Sequence, residues 1–540
     1  IALALYEKYG VEGFGAIVGD WSLALWDSTA EAIVLASDYA GVRPLYYSQQ
    51  ESNVTWSSSL ARIVQYCGAE ELSREYVVEY LGRGSSRGRT PYVGIFPVPA
   101  YHAVVITSHG ISSQPFWSLQ RIAPTRYAND HDYEERLHDL FREAVSCRLE
   151  NSSGVVSAEL SGGLDSSAVV CMADRLIARR EVSASHLTTV TYRQQGSADE
   201  RFYRAVQEQC STAEPFYLTA EHCPAAQVGA VGTAAPAWWQ LRQTLTADHM
   251  RQAGASVLLT GQTGDLVMAN WLDDSEQTAD YLQKGHFRAA AAEALCWSRS
   301  LRVPIYSVLW RSLRSSLSGS PVTGNLDLSE VTSASAKHGD SLSSDSRDML
   351  IETEKTRFQR RSWGDALPSA RKRLSSLFSL LDGRLLQCPE TLQEFSCTHP
   401  YSHRPLVEFM FSIPSGLTCR PGEPRRLMRR AFADVLPNIV RTRRSKAIYD
   451  TAFRNAIVPL ANHILKEAGC LQVVERGYID GASFKGRLNR LVNGMECNEG
   501  QLRQILLLEF WLRRRGHGPT TECPDATPMR AHSVAASGFH

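Results

Sequence analysis

The sequence predicts an α/β protein with two architectures in one chain. An antiparallel β part comes first; a doubly wound parallel sheet with a helical C-terminal part follows. Three observations carry this. Up to about Pro115, short apolar runs alternate with turn residues. Beyond residue 131, strand-like runs alternate with helix-like ones, the pattern of a parallel sheet covered by helices. One of those strands runs directly into Leu160-Ser161-Gly162-Gly163-Leu164-Asp165-Ser166-Ser167, a glycine loop opening a helix. At 540 residues the chain exceeds one typical domain.

The chain opens on Ile1-Ala2-Leu3-Ala4-Leu5-Tyr6, which reads as the middle of an amphipathic helix, so we expect it to begin inside a domain. Strands are expected at Trp21-Ser22-Leu23-Ala24-Leu25-Trp26, Ala32-Ile33-Val34-Leu35-Ala36 and Val54-Thr55-Trp56-Ser57-Ser58, with turns at Asp27-Ser28-Thr29 and Gly41-Val42-Arg43-Pro44. From Tyr133, apolar residues at 137, 140, 141 and 145 have helical spacing. Val155-Val156-Ser157-Ala158-Glu159 fits a buried strand, and Ala168-Val169-Val170-Cys171-Met172-Ala173 fits the helix after the loop. A second strand, Leu187-Thr188-Thr189-Val190-Thr191-Tyr192, precedes a helical segment at 199–209, and a third, Ser256-Val257-Leu258-Leu259-Thr260, ends at Gly261. Residues 312–348, rich in Ser, Gly and Asp, read as a mobile insertion. Helical patterns resume over 350–515, and 516–540 reads as a disordered tail.

Composition excludes several classes. With 57 basic and 57 acidic side chains, no net field favours nucleic acid or an anionic membrane. No apolar run approaches the roughly 18 residues of a membrane-spanning helix. The 12 cysteines are scattered without a Cys-x-x-Cys pair, which argues for reduced thiols and a cytoplasmic protein.

In open parallel sheets, ligands bind beyond the carboxyl ends of the strands. Two loops stand there. In the first, Gly162 and Gly163 allow close backbone approach, the helix start offers free N–H groups, Ser161 and Ser166 add hydroxyls, and Asp165 adds a carboxylate: chemistry for a pyrophosphate with its Mg²⁺. It is not a Walker A loop, lacking Gly-x4-Gly-Lys-Ser/Thr. In the second, Thr260-Gly261-Gln262-Thr263-Gly264-Asp265, Asp265 could share Mg²⁺ with Asp165. The basic run Arg441-Thr442-Arg443-Arg444-Ser445-Lys446 is either a solvated face or the cation source for a phosphoryl-transfer-like step. His399 and His403 are four apart, but Pro400 interrupts the helix that a metal pair would need.

Together these residues resemble the asparagine synthetase family of ATP pyrophosphatases. Gly19-Asp20-Trp21-Ser22-Leu23-Ala24-Leu25-Trp26-Asp27 and Ser37-Asp38-Tyr39-Ala40-Gly41-Val42-Arg43-Pro44-Leu45-Tyr46-Tyr47 look like the second half of its glutaminase domain. The loop at 161–166 matches its pyrophosphate loop, and 260–265 stands where the family has Ser-Gly-Glu-Gly-Ser-Asp. Residues 398–403 stand where it has Arg-Val-Pro-Phe-Leu-Asp, and 441–446 at its catalytic-lysine segment. The resemblance implies that 1–120 is a partial, inactive class II glutamine amidotransferase-like domain and 131–515 an asparagine synthetase-like ATP-pyrophosphatase domain. It also implies an ATP site at Leu160, Ser161, Gly162, Gly163, Asp165, Ser166, Val190, Thr260 and Gly261, with Mg²⁺ on Asp165 and Asp265 and Lys446 stabilising adenylation.

The departures bear on the substrate. The family's nucleophilic N-terminal Cys would lie before Ile1, so no glutaminase nucleophile is expected here. Gln262 replaces a Glu, Leu266 an acid, and Ser396 the Glu of the family's general base, for which Glu394 is a nearby substitute. The stretch Thr398-His399-Pro400-Tyr401-Ser402-His403-Arg404-Pro405-Leu406, with Arg420-Pro421-Gly422-Glu423, looks closest to the lasso-peptide cyclases. That resemblance implies a macrolactam synthetase acting on a precursor peptide, with a leader peptidase as partner. The alternatives are a fragment of an asparagine synthetase using aspartate and glutamine, and an inactive homologue that binds a partner.

Overall fold

The computed structural model describes residues 1–516 except 52, 84–87, 119–121, 151, 153, 194–196, 220–239, 271, 318–340, 360–366, 382–385, 445–449 and 468–470. The expected disordered tail therefore lies outside the described residues, apart from Gly516, which closes the helix Glu499–Gly516.

The N-terminal part holds two small antiparallel sheets. One has the order β1 (Ser22–Asp27), β2 (Ala32–Ser37), β6 (His102–Thr107), β7 (Gly110–Pro115); the other has the order β4 (Asn53–Ser57), β3 (Tyr46–Gln50), β5 (Phe96–Pro97). Strand alternation divides β2 between two cores. Val34 and Ala36 pack with Phe14, Phe116 and Trp117, whereas Leu35 packs with Leu45, Tyr47 and Val104. Helices Ala2–Tyr9, Leu60–Cys67 and Arg74–Arg83 complete this part. The last was not foreseen: its run Tyr76-Val77-Val78 favours strands, but burial of every residue from Tyr76 to Gly82 against C-terminal helices decides otherwise. Gly82 lies so close to Leu350 that an added Cβ would meet its Cδ2 at 2.5 Å.

The second sheet system is wholly parallel, with the order β10 (Ala213–Thr219), β9 (His186–Arg193), β8 (Val155–Glu159), β11 (Ala255–Leu259), β12 (Ser396–Thr398). Helices Asp130–Leu149 and Leu164–Ala178 pack on it, burying Leu137, Leu140, Phe141 and Val145 of the first and Val169, Val170 and Met172 of the second. The chain moves outward from β8 through β9 to β10, then returns to the other flank of β8 for β11 and β12. The switch point therefore lies between β8 and β11, and a crevice opens beyond their carboxyl ends. Both edge strands escaped the sequence reading: β10 carries Pro215, tolerated at an edge, and β12 has too few residues for a periodic signal.

The expected insertion at 312–348 is helical over most of its described residues, with Leu342 in an isolated bridge to Ile479. Ser312 is buried in the helix Ile305–Leu317, and residues 344–348 open the helix Ser344–Gln359; residues 318–340 lie outside the described residues. Tertiary packing of Val308 and Ser312 outweighs the turn-forming composition. Among the described residues, no helix is long and apolar enough to cross a membrane.

Candidate active site

The first loop leaves β8 at Leu160, whose N–H still donates to Val190 on β9 (2.9 Å). Both side chains are buried. Gly162 then turns with φ +72°, and a Cβ there would lie 2.9 Å from the Tyr203 nitrogen and 3.1 Å from the Asp199 oxygen. Only glycine suits a position that is both left-handed and walled by backbone. The loop's hydroxyls are spent on one another: Ser166 Oγ accepts from the Ser161 N–H (3.1 Å) and lies 3.0 Å from Ser161 Oγ. Gly163 caps the helix Leu164–Ala178 without a side-chain hydrogen bond.

The second loop leaves β11 at Thr260. Its N–H donates to the Thr398 carbonyl (3.1 Å), and its hydroxyl lies 2.6 Å from His399 Nδ1. His399 Nε2 lies 2.9 Å from the Leu386 carbonyl, which can only accept. Nε2 therefore carries the proton, and Nδ1 accepts from Thr260. Burial pushes this imidazole down to about 4, which keeps it neutral.

The two loops touch. A Cβ on Gly261 would come within 2.6 Å of the Ser166 nitrogen, and one on Gly264 within 2.5 Å of Asp165 Cγ. Arg425, 4 % exposed, closes the arrangement by donating from Nη1 to Asp165 and from Nη2 to Asp265. Tyr401 donates to the Asp165 carbonyl (3.1 Å), and Asn270 to the Asp265 carboxylate (2.8 Å). Sequence reading missed Arg425, which sits two residues past the quoted Gly422-Glu423; its left-handed φ of 55° is a tertiary property.

Among the described residues, no cluster of three or more His, Cys, Asp and Glu could enclose a metal. Two carboxylates that share one guanidinium are close enough to share a cation, however. Mg²⁺ bound mainly through phosphate oxygens asks no more of a protein. The donor set fits the ion.

Of the basic run, Arg441 closes the short helix Asn438–Arg441 and bonds Asn438 (2.7 Å). Arg443 turns inward, donating to the Gly162 carbonyl (2.8 Å) and to Asp199, its guanidinium over the Phe202 ring. Arg429 ties this segment to the Arg425 turn, reaching the Pro424 carbonyl (3.0 Å) and the Arg443 carbonyl (2.8 Å). Lys446 lies outside the described residues.

Glu394 is not brought to the loops. It precedes β12, at the end of the sheet where the strands enter, and pairs with Arg251 at 2.7 Å. Parallel pairing of β12 with β11 puts the loops at the opposite end, so the sequence expectation of a base here is corrected. The histidines part company too: His399 holds Thr260, while His403 faces Glu143 at 3.5 Å.

Comparison with known proteins supplies the deciding observation: the asparagine synthase family profile matches residues 136–513. The chain belongs to the asparagine synthase family. A glutamine amidotransferase domain profile matches residues 1–117 of this asparagine synthase homologue. The amidase chry2 of Gibberella zeae is 28% identical over 184 residues, covering 33% of this chain and 26% of that protein. Glutamine-hydrolysing asparagine synthetase 3 of Bacillus subtilis is 25% identical over 210 residues, 38% of this chain and 33% of the relative. The matches thus span between a quarter and a third of these relatives' length. Among solved structures, the glutamine-dependent NAD+ synthetase of Acinetobacter baumannii is similar at 11% identity with a TM-score of 0.19, covering 66% of this chain and 81% of that one.

Proposed function

We propose that this chain adenylates a carboxylate with ATP, releases pyrophosphate, and passes the acyl group to an amine. The observation that carries this reading is the convergence of Asp165 and Asp265 on Arg425, at the mouth of a Ser-Gly-Gly loop on the switch point of a parallel sheet. In the proposed arrangement, Leu160, Val190, Thr260 and Gly261 line the adenosine, while Ser161, Gly162, Gly163 and Ser166 cradle the phosphates, the serine groups exchanging their bonds to one another for bonds to phosphate oxygens. Asp165 and Asp265 would hold Mg²⁺, which when bound offsets charge on the phosphates. Arg425 and Lys446 would balance the charge that builds on the α-phosphate and the departing pyrophosphate.

The substrate carboxylate attacks the α-phosphorus as the bond to the β-phosphate oxygen breaks and pyrophosphate leaves. An amine nitrogen then attacks the acyl carbon, the acyl–oxygen bond to AMP breaks, and the amine proton passes to a base. Glu394 does not fill that role, being at the far end of the sheet.

For the substrate, our reading is a side-chain carboxylate of a precursor peptide, closed by the peptide's own α-amino group into a macrolactam after a partner peptidase removes a leader. It is supported by the similarity of residues 398–406 and 420–423 to the lasso-peptide cyclases. The second reading, free aspartate with nitrogen from glutamine, is favoured by the asparagine synthetases among the relatives. We further propose that 1–120 forms an amidotransferase-like domain and 131–515 the synthetase.

ATP–pyrophosphate exchange tests both substrates. Stimulation by a leader-processed peptide alone supports the cyclase; stimulation by aspartate supports the second reading; silence with every carboxylate in the presence of Mg²⁺ and ATP defeats adenylation altogether. Lys446→Ala is expected to abolish exchange while ATP affinity, measured by calorimetry, stays within about threefold.

A further inference from the structure

Strand β12 is an edge strand, yet its free side is not open to solvent. Residues two apart on a strand face the same way. Here Ser396 and Thr398 both face the N-terminal part, while Cys397 turns into a core with Leu258 and Phe395. Arg43 donates to Ser396 Oγ (2.6 Å). Thr398 Oγ1 donates to the Asp20 carboxylate and accepts from Arg148 Nε (2.8 Å), and Arg148 Nη2 pairs with Asp20 at 3.1 Å. Four residues on, the Tyr39 hydroxyl donates to the Ser402 carbonyl (2.5 Å). Asp20, Tyr39 and Arg43 all belong to the antiparallel part.

Between these outer contacts, the same segment makes the inner ones. The Thr398 carbonyl and His399 Nδ1 hold the backbone and hydroxyl of Thr260. Tyr401, fully buried, holds the Asp165 carbonyl. Residues 398–402 thus touch the N-terminal part on one side and both candidate nucleotide loops on the other, with one direct contact at each step.

We propose that Asp20 and Tyr39 are positioning residues for nucleotide binding: through residues 398–402 they set the separation of the loops at 160–166 and 260–265. The N-terminal part would then be needed by the ligase site itself, whether or not it handles glutamine. Asp20 is suited to the task because it stays ionised although largely enclosed, its side chain 13% exposed. Burial alone would raise its pKa, but Arg148 foremost, then the Thr398 hydroxyl, hold it below the usual range.

This inference rests on the adenylation reading for the nature of the ligand, but not for the mechanical link. The test uses the full chain carrying Asp20→Asn, Tyr39→Phe, Thr398→Val or Thr398→Ser. Hydrogen exchange of the 257–265 and 160–166 segments is measured without nucleotide, and Mg·ATP affinity by calorimetry. Losing a charge-assisted hydrogen bond is expected to speed loop exchange about tenfold in Asp20→Asn, and to weaken Mg·ATP by about the same factor. Protection of β2 and β6 should not change. Thr398→Val should behave like Asp20→Asn, with Thr398→Ser restoring the wild-type values. Unchanged loop exchange in folded Asp20→Asn and Tyr39→Phe overturns the proposal. Should Asp20→Asn not fold, the Thr398 pair and Tyr39→Phe decide it. Should the wild type bind no Mg·ATP, the adenylation reading falls, and loop exchange still judges the link.

Discussion

The loops after β8 and β11 look alike in sequence, each a short polar stretch with two glycines and an aspartate, but they are built differently. The first satisfies its own hydroxyls and turn: Ser161 and Ser166 bond each other, Gly162 supplies the left-handed φ and Gly163 starts the helix, while distant Arg443, Tyr401 and Arg425 reach the Gly162 carbonyl and Asp165. The second is held from outside. Thr260 hangs on Thr398 and His399, more than a hundred residues away in sequence, and Asp265 is steadied by Asn270 and Arg425. A loop that satisfies its own polar groups can be recognised from a motif. One that borrows partners depends on the rest of the fold.

The largest expected effect breaks the contact between them. Gly261→Ala would press a methyl group into the Ser166 backbone, at 2.6 Å from its nitrogen, where no flexible side chain can give way. The loops should part, and ATP–pyrophosphate exchange should fall by at least about a hundredfold with thermal stability lowered by about 1–3 kcal/mol.

A middle-sized effect sharpens the comparison through the carboxylates. Asp165 is 17% exposed and faces Gly264, Arg425 and the first loop, whereas Asp265 is 60% exposed. Neutralising the more enclosed charge should cost more: about a thousandfold in exchange for Asp165→Asn and about a hundredfold for Asp265→Asn. Equal losses, measured across a Mg²⁺ titration, would show that enclosure does not separate their roles.

A smaller effect concerns the borrowed partner alone. His399 titrates at about 4 in the fold against an ordinary 6.5, so between those values the unfolded chain binds more protons. The neutral imidazole therefore contributes stability that is full above pH 6.5 and is lost as pH falls towards 4. Its size is on the order of 3 kcal/mol. Asp38, pushed up to about 7 by burial and then by Asp20, has the opposite slope, so the test is a difference. Urea denaturation of wild type and His399→Gln at pH 7 and pH 5 should show the variant losing less stability on acidification. Smallest of all, Glu394→Gln should leave exchange within about twofold, since its partner is Arg251 on an exposed face. A large loss there would reinstate it as a base.

Much of the fold was legible because its signals are local. The apolar run at Ala32–Ser37, helical spacing over Asp130–Leu149 and the strand–loop–helix run through Val155–Glu159 each need only neighbours in sequence. The helix Arg74–Arg83 was not legible, since its residues favour a strand until burial on all sides is supplied. Nor was β12, whose three residues carry no period.

For the candidate site, the sequence by itself determined the Ser-Gly-Gly-Leu-Asp-Ser loop and the position of Asp165 and Asp265 just beyond strand ends, because backbone conformation and strand-to-helix order are set by nearby residues. Only the tertiary structure decided that Arg425 lies between those carboxylates and that Arg443 braces Gly162. It also decided that Glu394 falls at the wrong end of the sheet, and that Asp20 reaches Thr260 through Thr398. These contacts join residues hundreds of positions apart, and parallel pairing of β8, β11 and β12 brings most of them together.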